Sequence, residues 1–186
     1  INAAFELHQQ IKRGDCPEPD EIYVCAGTLG TYLGILIGCQ LAGIRTRVRG
    51  VRIVEKVVAN RVRAQQLIHQ VSTLLSHVDA PIALSLSPCD IDFVHDYCGP
   101  GYARETLSSR RAHQMIEHMT AIKLDPVYTA KAWSAILGEV TQGSGKSILY
   151  WHTYNGVDMA DRIAQARVDR DLPKAYHAFF HDDPFD

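Results

Sequence analysis

Phe5, Leu7 and Ile11 recur at helical spacing near the start of the chain and predict an amphipathic helix that ends near Gly14. A connector rich in turn formers follows, Asp15-Cys16-Pro17-Glu18-Pro19. Residues 21–26 (Glu-Ile-Tyr-Val-Cys-Ala) are too few for a helix and apolar enough for a strand buried on both faces. Gly27-Thr28-Leu29-Gly30-Thr31 opens an apolar segment that runs to Ala42 and stops at Gly43. A second strand is expected over 45–53, where Val48, Val51 and Ile53 stand among arginines. Val58, Val62, Ile68, Val71 and Leu75 then mark a long helix over 57–75.

The second half repeats the alternation. A short strand is expected over 91–94, the turn Gly99-Pro100-Gly101-Tyr102 comes next, and a helix spans about 105–119. Asp125-Pro126 has the form of a helix start, with Asp as N-cap and Pro in the first helical position, and predicts a helix over 127–140. The run Ile148-Leu149-Tyr150-Trp151 is the core of a last strand over 147–152. Helices and strands taking turns predict an α/β fold, an open and mostly parallel sheet with helices on both faces. Residues 1–155 are expected to form that domain and 156–186 a polar tail, helical in parts.

Composition narrows the partners. Across 186 residues, 19 Lys and Arg face 21 Asp and Glu, a formal charge of −2 that offers no grip on nucleic acid or an anionic membrane. The apolar runs are too short for a transmembrane span. Five cysteines, an odd number without a CxxC pair, suggest a reducing, cytoplasmic setting. The chain opens on Ile1 inside a helical pattern, without an initiator Met, which suggests a piece of a longer polypeptide.

The first strand–turn–helix carries the strongest chemical signal. Ligands of open α/β sheets sit beyond the carboxyl ends of strands, and a glycine turn there lets backbone N–H groups and a helix dipole close on an anion. Thr28 and Thr31 add hydroxyls. The turn is neither a Rossmann G-x-G-x-x-G nor a Walker loop, and five residues alone leave open whether it is a phosphate site or merely a tight turn. Gln142-Gly143-Ser144-Gly145-Lys146-Ser147 imitates the end of a Walker loop, but Val140 stands where the first glycine must fall and a strand follows, so it reads as a surface turn. Tyr102 and Tyr128 each follow a rigid turn, and Trp151-His152-Thr153 ends the last strand on the ligand side.

Four segments, taken together in their order and spacing, resemble one family. They are Cys25-Ala26-Gly27-Thr28-Leu29-Gly30-Thr31, Cys98-Gly99-Pro100-Gly101-Tyr102, Leu124-Asp125-Pro126-Val127-Tyr128-Thr129-Ala130-Lys131 and Leu149-Tyr150-Trp151-His152-Thr153. The resemblance, over residues 1–153, is to the D-cysteine desulfhydrase and 1-aminocyclopropane-1-carboxylate (ACC) deaminase family of pyridoxal-phosphate enzymes, fold type II, to which the tryptophan synthase β chain is related. It implies a pyridoxal 5′-phosphate cofactor whose phosphate is cradled by Gly27, Thr28, Leu29, Gly30 and Thr31. It implies that Tyr102 and Tyr128 act on the substrate side of the ring, with Thr129 at the ring nitrogen and Thr153 nearby.

The family's Schiff-base lysine and its carboxylate-binding loop lie upstream, in a segment this chain does not contain. Lys131 matches a lysine that the family carries outside the Schiff-base role. The resemblance also departs in places: Leu29 stands where a small residue is preferred, and Tyr154-Asn155 replaces a glycine pair. The expected reaction of the parent protein is α,β-elimination from a cysteine-like amino acid to pyruvate, sulfide and ammonia. A neutral Thr129 hydroxyl makes the ring a weaker electron sink than a carboxylate would, which suits departure of a thiol better than opening of a cyclopropane. ACC deamination, a catalytically incompetent phosphate-binding fragment, and a nucleotide-binding domain using Glu55 are the alternatives. The expected partners are a small amino-acid substrate, the missing N-terminal part and a second copy in a homodimer.

Overall fold

Every second side chain of residues 21–26 has its own packing partner, and that fixes the segment as a strand. In the computed structural model it is β1 (Glu21–Ala26), an inner strand of a four-stranded sheet in the order β3-β2-β1-β4. The other strands are β2 (Arg47–Arg52), β3 (Asp92–Val94) and β4 (Ile148–Trp151). The structure describes residues 1–78, 84 and 86–155, and beyond them 157, 159, 162 and 173. All three strand pairings are parallel, with Val24 opposite both Gly50 and Trp151.

Ile22, Val24 and Ala26 point to one face, where α2 (Gly30–Ala42) supplies Leu33 and Leu36, and α1 (Asn2–Arg13) supplies Ala4 and Leu7. Tyr23 points to the other face, against Ala132, Ala135 and Ile136 of α5 (Thr129–Thr141). α3 (Arg61–Val78) packs beside α2, and α4 (Leu107–Met119) beside α5. The sheet is therefore parallel and flanked by helices on both faces, the α/β class expected from the alternation.

Three local expectations are corrected. Phe5 is not in the buried stripe of α1: it is 38% exposed, whereas Ala4 is fully buried. The reason is close approach, since a Cβ on Gly38 of α2 would lie 2.7 Å from the Ala4 Cβ, leaving room only for small residues. The long helix starts at Arg61 rather than at 57, because Asn60 intervenes as a cap whose side-chain oxygen accepts the Arg63 N–H at 2.9 Å. α5 starts at Thr129, two residues late. Asp125 does cap it, accepting from the N–H groups of Val127 (3.1 Å) and Tyr128 (2.6 Å), but Tyr128 sits at ψ −74 and regular helix begins only after it.

The Walker-like stretch is a turn, with Gly143 and Gly145 at φ 71° and 62°. Its Lys146 donates to Glu21 (2.8 Å) and Glu139 (3.0 Å), and Arg49 bridges the same two carboxylates at 3.4 and 3.2 Å. This network pairs Arg49 of β2 with carboxylates from β1 and α5, at the end of the sheet opposite the glycine turn. Most of the expected tail over 156–186 lies outside the described residues. No described helix is long and apolar enough to cross a membrane, and Cys16, Cys25, Cys39, Cys89 and Cys98 are free thiols.

Candidate functional site

β1 delivers Gly27 at its carboxyl end, and the chain must then turn into α2. The residue that makes this turn is Leu29, in the left-handed region at φ 74°. An aliphatic residue there carries roughly 1–2 kcal/mol of strain. Its side chain is 2% exposed and locked into the core beside α2, which offsets that strain. Neither Gly27 nor Gly30 has a positive φ. A Cβ on Gly30 would meet nothing within 4 Å, and one on Gly27 only ordinary contacts from 3.8 Å. Neither turn geometry nor packing therefore requires these two glycines, and what they leave is bare backbone facing a cavity.

That cavity has a volume of about 450 Å³. Its wall brings together all nine residues singled out from the sequence: Gly27, Thr28, Leu29, Gly30 and Thr31 from the turn, Tyr102 from the Gly99-Pro100-Gly101 turn, Tyr128 and Thr129 from the start of α5, and Thr153 beyond β4. Ile53 and Val54, past the end of β2, form an apolar wall, and Cys25, Asp125 and Tyr154 complete it. The opening lies beyond the carboxyl ends of β1, β2 and β4, where α2 leaves one face and α5 packs on the other, the usual ligand position in open parallel sheets.

Asp125 is the one charged side chain among the described residues lining this cavity, and no described lysine or arginine lines it. An anion here rests on neutral donors. Leu29 gives α2 no side-chain cap, so the N–H groups of its first turn have no helical acceptor and carry the positive end of the helix dipole. Thr28 and Thr31, both exposed, line the cavity and add hydroxyls. A phosphate monoester fits this donor set, and the apolar Ile53–Val54 wall fits the flat face of an aromatic ring.

On the opposite wall the Tyr128 hydroxyl donates to that of Tyr102 at 2.5 Å, with the rings edge to face at 5.7 Å. Burial and this bond push the Tyr128 phenol up to about 12, so it is a neutral proton donor at neutral pH. Burial also raises the Cys25 thiol to about 12, with the Asp125 charge adding to it, and the thiol donates to the Tyr128 carbonyl at 3.4 Å. Thr129 is almost fully buried and its hydroxyl is occupied: it accepts the Asp125 N–H at 2.6 Å and donates to the Asp125 carbonyl at 3.2 Å.

Sequence reasoning named Lys131 and Glu55 but missed that they hold the Tyr102 turn. Lys131 is fully buried and donates to the carbonyls of Cys98 (2.7 Å) and Gly101 (3.3 Å). Glu55 accepts the Tyr102 N–H at 3.0 Å, which holds its carboxyl below the usual range. Glu55 therefore grips this turn instead of standing ready for a nucleotide ribose. Arg52 ties the end of β2 to the loop after β3, donating to His95 Nδ1 (3.0 Å), to the His95 carbonyl (3.1 Å) and to the Val54 carbonyl. Burial, with the Arg52 charge, keeps His95 below its ordinary range. Lysine 131 was visible in the motif; the pairings of Glu55 and Arg52 have no signal in sequence spacing.

A parallel sheet with a glycine turn under a helix N-terminus, an apolar wall and a phenol pair at one cavity is the arrangement of a ligand-binding α/β domain. The family model for pyridoxal-phosphate dependent enzymes matches residues 1–153. The chain belongs to this family of enzymes. It is 28% identical over 170 residues to the bifunctional D-cysteine desulfhydrase/1-aminocyclopropane-1-carboxylate deaminase, mitochondrial, of Arabidopsis thaliana, covering 89% of this chain and 40% of that protein. It is 29% identical over 156 residues to the D-cysteine desulfhydrase of Klebsiella pneumoniae (strain 342), covering 82% of this chain and 44% of that one. A crystal structure of an ACC deaminase homologue superposes with a TM-score of 0.67 at 22% identity, over 87% of this chain and 48% of that one, and shares its fold. The chain thus spans under half the length of the relatives it matches.

Proposed function

We propose that this chain is the cofactor-cradling part of a pyridoxal-phosphate-dependent lyase that eliminates sulfide and ammonia from a cysteine-like amino acid, leaving pyruvate. The observation that carries the reading is the convergence on one cavity of residues from four separate segments, each assigned a cofactor or substrate role by the family pattern. When bound, the cofactor ring supplies a sink for the electron pair left at Cα after proton removal.

The chain's own residues divide the remaining work. Gly27 to Thr31 and the first turn of α2 bind the phosphate through backbone N–H groups and two hydroxyls, with no cation needed. Ile53 and Val54 exclude water from one side of the ring site. Thr129 orients the ring by its hydroxyl proton, which turns from the Asp125 carbonyl to a ring nitrogen while the oxygen keeps the Asp125 N–H. In the Tyr128–Tyr102 pair the Tyr128 hydroxyl donates to Tyr102, so Tyr102 passes its free proton toward the leaving sulfur and takes up that of Tyr128, and the group departs as a thiol rather than a thiolate. No described lysine lines the cavity; in this proposal the lysine that bonds the cofactor is supplied by the upstream part of the parent protein, where the family pattern has it, and a second copy completes the enzyme.

A neutral alcohol at the ring nitrogen favours thiol elimination over cyclopropane opening, since the latter demands the stronger sink. Assay of the full-length parent with D-cysteine and with ACC separates the two. Sulfide and pyruvate from D-cysteine, at a kcat/KM at least about tenfold above that for ammonia release from ACC, is the expected result. Preference for ACC would overturn the substrate assignment, and absence of a borohydride-reducible pyridoxal-phosphate adduct in the parent would overturn the enzyme.

A further inference from the structure

Among the described residues Lys131 is the charged side chain with no exposed surface, and no described carboxylate forms an ion pair with it. A lysine is rarely buried in this way unless a ligand or a fixed set of acceptors takes its protons. Here the acceptors are backbone carbonyls at both ends of one turn, Cys98 O at 2.7 Å and Gly101 O at 3.3 Å. The next residue of that turn is Tyr102, whose N–H is taken by Glu55 from the segment after β2 at 3.0 Å. The turn is gripped from two elements. Its own conformation is unfavourable for most residues, with Gly99 at φ 69° and Gly101 at φ 150°.

Lys131 also stands three residues after Tyr128, at the start of α5, with its N–H bonded to the Tyr128 carbonyl at 3.1 Å. A single helical turn thus fixes Tyr128 directly and Tyr102 through the lysine. We infer that Lys131 is a positioning residue for the phenol pair: its ammonium locks the Cys98–Tyr102 turn so that the Tyr102 hydroxyl meets that of Tyr128 at the cavity wall. Burial lowers its proton affinity, and Glu55, Asp125 and Cys98 are the titratable groups around it; the lock does not depend on full charge, because a neutral amine still has two protons for two carbonyls. The inference deepens the proposed function, and its catalytic part rests on that reading.

The test is Lys131→Met, which keeps the length of the side chain and removes the donor. In this chain without cofactor, amide exchange of Tyr102 should quicken on the order of tenfold or more while the amides of Ile22, Val24 and Val51 keep their protection. In a Tyr102→Phe background the same substitution should quicken exchange of the turn equally, yet leave the carbon-13 resonance of the Tyr128 phenol carbon where Tyr102→Phe alone has put it. In the Tyr102 protein it should move that resonance to the same place. Uniform loss of protection through β1 and β2 would make Lys131 an ordinary core residue, and an unchanged Tyr128 resonance would show that it does not set the pair; either overturns the inference.

In the cofactor-loaded parent, Lys131→Met should lower kcat for elimination by about tenfold or more with the absorbance of the bound cofactor unchanged. An unchanged kcat would remove the catalytic part. If the parent with Lys131 intact eliminates nothing, the proposed function has failed, and the exchange and resonance results still decide the positioning role.

Discussion

At the scale of single residues the site is built on a conflict. Leu29 takes a left-handed conformation that suits glycine, yet its side chain is among the most buried in the molecule. Glycine at that position would relieve roughly 1–2 kcal/mol of backbone strain but lose about 3 kcal/mol of buried leucine and add the entropy of a freer unfolded chain. Burial is the larger effect. Leu29→Gly should therefore destabilise the fold by about 2 kcal/mol in urea unfolding, and a neutral or stabilising result would show that the turn is held by something other than its leucine anchor.

The same residue shows what the sequence concealed. A turn written Gly-Thr-Leu-Gly invites the assumption that its glycines make the bend, whereas the bend is at Leu29 and the glycines present bare backbone. Motif reading and the cavity single out the same residues, and geometry changes the reason for the glycines. Thr129 differs in another way: its place at the cavity was legible from the helix start, but its hydroxyl bonds to both backbone groups of Asp125, which no spacing rule reveals.

At the scale of elements, β1 and β4 were legible because short apolar runs bounded by turn formers have few other solutions, and α2 because its apolar segment ends at Gly43. Helix starts were less so. Apolar periodicity placed α3 four residues early, since Val57 and Val58 continue the pattern but are exposed in the turn before Asn60. The inner stripe of α1 was misread for the opposite reason: Ala4 outranks the larger Phe5 because Gly38 demands a small neighbour. Gly38→Ala puts its Cβ 2.7 Å from both the Ala4 Cβ and the Ile1 carbonyl, and should cost about 1–3 kcal/mol by driving α1 off α2. Equal stability of the variant in chemical denaturation would refute that packing.

The ion network between β1, β2, α5 and the 142–147 turn makes a prediction about pH. Lys146 holds the Glu139 carboxyl below its ordinary 4.5, and Glu21 with Glu139 holds the Lys146 amine above its ordinary 10.5. A lowered carboxyl stabilises the fold above pH 4.5 and loses that contribution as pH falls through the folded value; a raised amine stabilises below pH 10.5 and loses it as pH rises beyond. Lys146→Met should lower the melting temperature between those limits, by less at high salt, and the difference should shrink as pH falls below 4.5. A deficit that persists unchanged at low pH would mean the lysine acts through packing.

At the scale of the whole molecule, a parallel sheet gathers loops distant in sequence at one end, and the cavity with its glycine turn, apolar wall and phenol pair is a product of that topology. The four segments were recognisable as a set because their order and spacing encode the sheet. The struts behind them, Lys131, Glu55 and Arg52, act by reaching across elements, and single charged residues carry no sign of their distant partners.

If the turn from Gly27 to Thr31 holds the phosphate of pyridoxal 5′-phosphate, amide NMR of this chain, titrated in parallel with pyridoxal 5′-phosphate and with pyridoxal lacking the phosphate, will show it. Saturable shifts centred on Gly27, Thr28, Gly30 and Thr31 are expected with the phosphorylated compound, and far weaker ones without it. Shifts centred elsewhere, or the same response to both compounds, would refute phosphate binding at this turn.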